Sequence, residues 1–158
     1  QENPISGMPT EHRRQPRNVD SGRRRVSART RIACVATKSD PLARLRRLCL
    51  ALPEAHEVKA WGEPTFRVKN KLFAMYAAAE NHHGAGRPAV WIKAEDGEQE
   101  LRIAADPERF FRPPYVGPSG WVGVQLDRRV NWTMVAEMLT AGWRLVAPKK
   151  LLTALPRP

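Results

Sequence analysis

The chain has 158 residues, 42% hydrophobic and 27% charged, the proportions of one ordinary soluble domain with room for a tail. Lys and Arg outnumber Asp and Glu by 27 to 16, and the resulting net charge of +11 favours polyanions over polycations as partners. Apolar runs such as Ile32–Ala36 and Leu48–Leu52 are short, and none in the chain approaches the about 20 residues that a membrane-spanning helix needs, which excludes a helical span and argues against a membrane partner.

The charge is unevenly placed. Residues 1–38 hold nine cations, among them Arg23, Arg24 and Arg25, and three anions, Glu2, Glu11 and Asp20. More than half of the net charge therefore sits in the first quarter of the chain. This stretch also carries Pro4, Pro9 and Pro16 and shows no apolar periodicity, so it reads as a disordered basic tail. A single domain is expected over residues 39–158.

Asp40-Pro41 is a helix start, with Asp as the cap and Pro at the first helical position. Leu42, Leu45, Leu48, Cys49 and Leu52 then recur at helical spacing, and Pro53 closes the helix. Cys49 lies on that apolar stripe, which marks it as a buried, inert thiol. Residues 56–61 form a first strand. Residues 64–69 and 72–78 alternate as a hairpin around an Asn70-Lys71 loop, a register that places Phe66, Val68, Phe73 and Met75 on one face. Arg67, Lys69, Leu72 and Tyr76 share the other. Residues 80–87 are a loop by composition, and 88–94 a further strand with Val90 and Ile92 opposite Trp91 and Lys93.

Residues 95–105 favour a short acidic helix, and 107–111 a turn. Prolines and glycines over 113–120 mark a rigid connection. Residues 121–126 alternate as a strand. Asn131 caps a helix carrying Trp132, Val135, Met138 and Leu139, with Gly142 expected to end or weaken it. Pro148 opens a last helical turn. The order predicts an α+β two-layer sandwich, with a mostly antiparallel sheet of about five strands and helices packed on one face.

Catalytic and metal-binding patterns are weak. His82-His83 is the only adjacent His pair and has no ligand set at metal spacing, so a solvated loop explains it. Gly84-Ala85-Gly86 lacks the Lys-Ser/Thr and helix of a phosphate loop. Glu95, Asp96, Glu98 and Glu100 suit the start of a solvated helix. Neither an enzyme nor a cofactor is expected. Two cysteines, Cys34 and Cys49, make no disulfide framework and point to a reducing, cytoplasmic setting.

An ordered series of short motifs resembles the MmcQ/YjbR family: Leu52-Pro53-Glu54, Trp61-Gly62, Pro64–Val68, Lys71–Ala74, Val90–Lys93, Gly120–Val124, Trp132, and Gly142–Leu151. The resemblance covers residues 40–155 and implies a compact α/β domain with an antiparallel sheet and a DNA-binding-like character; it brings no catalytic residues. Gly142 stands where the resemblance leads one to expect Ser.

The candidate contact residues are therefore basic. Arg67, Lys69 and Lys71 fall on one hairpin, Arg128 and Arg129 follow the strand at 121–126, and Lys149 and Lys150 precede the last helix. Two such projections would straddle a DNA backbone and contact phosphates without reading bases. The alternative is a protein-interaction or ligand-binding module using Leu72, Tyr76 and Trp91 as a patch. A contiguous positive surface would favour the first reading and an apolar concave patch the second.

Overall fold

The computed structural model describes residues 40–81, 86–127 and 129–155. The tail over 1–38, His82-His83, Gly84-Ala85 and Arg128 lie outside the described residues.

Helix α1 (Pro41–Leu50) begins as the capping pattern requires: the Asp40 carboxylate accepts from the Leu42 N–H at 3.1 Å, with Pro41 at the first helical position. Leu45 and Cys49 are fully buried, and burial pushes the Cys49 thiol pKa up, as expected for an inert packing residue. Among the described residues six strands follow in a single antiparallel sheet: β1 (Ala55–Ala60), β2 (Glu63–Val68), β3 (Lys71–Ala77), β4 (Ala89–Lys93), β5 (Phe110–Phe111) and β6 (Trp121–Gln125). Their spatial order is β1-β2-β3-β4-β6-β5. The sixth strand is the Phe110-Phe111 pair, too short to register as alternation and expected to be a turn; it pairs with Val124 and Gly123 at the sheet edge.

The hairpin register differs from expectation. Val68 pairs with Lys71, so the two-residue turn is Lys69-Asn70, not Asn70-Lys71. Both turn residues have positive φ, 46° and 65°, the geometry that matches the twist of the flanking strands. Phe66 pairs with Ala74 but Arg67 with Leu72, which leaves Phe73 as an extra, bulged residue on β3. Phe73 and Ala74 consequently both enter the helix-side core, while Leu72 and Met75 turn to the opposite face. Met75 and Tyr76 thus exchange the faces that strict alternation assigns them.

Helices α2 (Glu98–Ala105), α3 (Trp132–Val146) and α4 (Lys149–Leu152) complete the order, with a 3₁₀ turn at Gly117–Ser119. Asn131 caps α3 by accepting from the Met134 N–H at 3.1 Å. Gly142 does not end α3. A Cβ there would come within 2.6 Å of the Lys93 carbonyl oxygen and 3.1 Å of Ile92 Cγ2, so glycine lets the helix lie directly on β3 and β4. The main core, built on Phe66, Val68, Phe73, Ile92, Val124, Val135 and Trp143, fills the space between the sheet and the helices. Trp143 donates from Nε1 to the Pro53 carbonyl at 3.1 Å, which ties the turn before β1 to α3. No helix among the described residues is long and apolar enough to cross a membrane.

Candidate functional site

Two regions stand out from this frame, and the strand registers place both. The first is the end of the sheet holding the Lys69-Asn70 turn. Ala55 pairs with Val68, so Glu54, just before β1, arrives at the same end. Its carboxylate makes a 2.6 Å ion pair with Lys69 Nζ. That hydrogen bond, together with the charges of Lys69 and Lys150, holds the Glu54 carboxyl below its ordinary range. Lys150 therefore lies in the field of Glu54, which joins the first turn of α4, with Lys149, to the hairpin tip. Lys71 is exposed beside the turn. Arg67 sits one residue before Val68 on the face away from the helices, and donates from Nε to Thr65 Oγ1 at 3.3 Å. Five of the seven predicted basic residues therefore gather at one end of the fold.

Arg129 does not join them. Ala77 pairs with Ala89, and Ala89 with Gln125, so the segment after β6 leaves from the opposite end of the sheet. Its surroundings are of mixed sign: Arg87 grips Asp127 through two bonds of 2.7 and 2.9 Å, and Arg109 pairs with Asp106 at 3.0 Å. Arg109 also donates to the Arg129 carbonyl. The bond to Arg109 lowers the Asp106 pKa, which makes this a self-neutralised cluster.

The second region was anticipated from the sequence only in part. On the face without helices, Met75, Ala77, Trp91 and Trp121 form a small second core with Leu72, Phe111 and Val116 packed on it. Part of that face is open. A groove of about 360 Å³ is lined by Trp61, Leu72, Met75, Trp91, Tyr115 and Val116. Leu72 and Trp91 belong to the patch expected from the sequence; Tyr76 does not, because the bulge sends it to the helix side.

The groove's two outer walls are unusual. Trp61 is 67% exposed and Tyr115 is 75% exposed, and both hold positive φ, 54° and 65°. Such a conformation costs a bulky residue about 1–3 kcal/mol and persists only where its neighbours impose it. At Trp61 the two-residue turn with Gly62, between Ala60 and Glu63, imposes it. At Tyr115 the connection from β5 to β6 does so. Gln99, buried on α2, donates to the carbonyls of Gly117 and Trp121 and accepts from Arg112 Nε at 2.7 Å. Backbone bonds from Val116 to Pro114 and from Gly117 to Pro113 tighten the same segment. Two signals were present in the sequence: an aromatic residue before Gly62 where Asn or Asp is the usual turn residue, and an aromatic residue directly after Pro113-Pro114.

Comparison with known proteins bears on the fold and the family. The family model described as YjbR matches residues 50–145, which includes both hairpins and the groove but not α4. A search of curated proteins gave no match. The crystal structure of Deinococcus radiodurans protein DR2400, described as a DUF419 domain, is similar to this chain at 21% identity over 74% of this chain and 92% of its own, with a TM-score of 0.60. At that identity the likeness establishes the shared fold. With the family match spanning most of the folded domain, the conclusion is that this chain belongs to the YjbR family.

Proposed function

We propose that this YjbR-family domain is a non-enzymatic, sequence-tolerant nucleic-acid-binding module, and that Arg67, Lys69, Lys71, Lys149 and Lys150 contact the phosphate backbone. The observation that carries this reading is their convergence from β2, β3 and α4 onto one end of the sheet, around the Glu54–Lys69 pair. Lysines on a hairpin tip and a helix start supply point charges to phosphates and no base-edge code. The nine cations of residues 1–38 add to the same attraction without adding sequence preference. A cytoplasmic setting belongs to the proposal and accords with the free, buried thiol of Cys49.

The test is a fluorescence-anisotropy titration of the full chain with DNA and RNA at several salt concentrations. Each phosphate neutralised steepens the dependence of log K on log salt by about 0.9, so replacing the four lysines with Ala should flatten the slope by up to about 3.6. Arg129→Ala, at the other end of the sheet, should leave the slope unchanged. An unaltered slope in the four-lysine variant would sink this reading. The apolar groove supports a second reading, a module that captures a ligand or partner through apolar contacts.

A further inference from the structure

Trp61 and Tyr115 stand at opposite ends of the fold's local chemistry: one on a hairpin turn, the other on a proline-rich connection. Yet both face a single groove. The turn at Trp61 would form more easily with Asn, and the backbone at Tyr115 with Gly or Asn. Neither ring is needed to close a core, since both are largely exposed. The chain thus holds two aromatic rings in unfavourable backbone positions over an apolar floor of Leu72, Met75 and Trp91. Strain of that kind at an open site is characteristic of ligand clamps.

The shape and charge of the surroundings select the occupant. The groove is at the lower end of small-ligand sites, which run from about 300 to 1,000 Å³, and its lining offers flat aromatic faces. Arg67 is the cross-strand partner of Leu72, a groove residue, and shares its face. Directly opposed residues lie about 5 Å apart at Cβ, so a guanidinium stands beside the apolar floor. Lys69 and Lys71 continue the positive charge around the turn. A flat ring seated in the groove and joined to an anion reaching Arg67 describes one nucleotide unit. An aliphatic peptide side chain would fill the groove but leave Arg67 unmatched. A base inside a duplex has both faces covered by its neighbours and cannot enter.

We propose that the Trp61–Tyr115 groove receives an unpaired nucleobase, so that the domain binds single-stranded nucleic acid in preference to duplex. This rests on the nucleic-acid reading above and gives it a strand preference. Stacking on aromatic side chains accepts any base, which fits a groove whose walls are the rings of Trp61 and Tyr115.

The experiment compares the full chain with its Trp61→Asn, Trp61→Phe and Tyr115→Asn variants. The probes are a short labelled oligothymidylate and a hairpin duplex of equal charge, titrated at matched salt. Asn suits positive φ, so both Asn variants keep their turns, and urea unfolding verifies that they do. The wild type should favour the single strand. Trp61→Asn and Tyr115→Asn should each weaken single-strand binding about 5- to 150-fold, the range for loss of one base–aromatic stack. Duplex binding and the salt slope should stay as they were, and Trp61→Phe should recover most of the loss. Equal effects on both probes, or none on the single strand, would overturn the strand preference while leaving the backbone reading intact. Absence of binding to either probe at about 50 mM salt would overturn both. An apolar dye that binds the groove and is not displaced by oligothymidylate would overturn the inference in favour of a peptide or lipid-like occupant.

Discussion

The two faces of this sheet are made by the same strands and built to different ends. On the helix side Phe66, Val68, Phe73, Val90, Ile92, Val122 and Val124 are fully buried, Gly142 brings α3 against the backbone of β4, and the buried indole of Trp143 has its hydrogen bond. On the other side a smaller core is half roofed by the Gln99-braced connection, and the uncovered half is walled by two aromatic residues in costly backbone positions. The first face is organised for stability. The second gives up local stability to keep an apolar surface open, and the contrast separates residues that hold the fold from residues that use it.

The contrast breaks most decisively from the helix side. Phe73→Ala should cost about 3–5 kcal/mol in chemical denaturation, the usual range for a fully buried Phe. A loss under about 1 kcal/mol would mean that the bulge does not deliver Phe73 to the core. Gly142→Ala should cost about 1–3 kcal/mol, because the new methyl meets a backbone carbonyl that cannot step aside. The brace of the open face comes next. Gln99→Leu should cost about 1–3 kcal/mol by stranding two carbonyls and Arg112 Nε, and hydrogen exchange should quicken around Tyr115 before elsewhere.

Two smaller effects sharpen the comparison. Trp61→Asn should leave stability unchanged or raise it by up to about 1 kcal/mol, since Asn-Gly is the preferred pair for this turn, while binding at the groove falls. Opposite signs for stability and binding are the mark of a residue kept for use. The smallest effect concerns Glu54. Its folded pKa is lowered, so the stabilisation from its pairing with Lys69 is present above the unfolded carboxylate value and is lost as pH falls through the folded value. Over that same window the lysine end loses its counter-charge, so polyanion binding should tighten as pH falls, and Glu54→Gln should tighten it at neutral pH. Calorimetric titration across the acid range checks both statements.

Most of the helix-side face was legible because its residues obey simple periods. Asp40-Pro41, the leucine stripe of α1, the alternation in β4 and β6, and the Asn131 cap each carry their own structural signal. The rest, most of it on the open face, was legible only in part, for three physical reasons. The bulge at Phe73 inverts the alternation of β3 midway, so Met75 and Tyr76 cannot be assigned by counting. Both hairpin turns place a non-glycine residue at positive φ, Trp61 in one and Lys69 in the other, where turn rules look for Asn or Gly. Gly142 reads locally as a helix stop, because its role is set by a carbonyl on a strand nearly fifty residues away. The basic residues were legible as a set. Their division between two ends of the sheet was not, because it depends on strand order, with β4 and β6 adjacent and β5 outside them.

The bulge at Phe73 also governs how this domain can change in length. A strand's inward and outward positions form a two-phase code, and the extra residue advances that code by one step for the rest of β3. A deletion between Ala74 and Ala77 would therefore act far from where it fell, exchanging the tenants of two cores at once. The same deletion among residues 86–88, ahead of β4, would be absorbed by the connection. Insertions and deletions among homologues should accordingly cluster outside β3, while the groove residues remain free to vary in chemistry without disturbing the phase on which the main core depends.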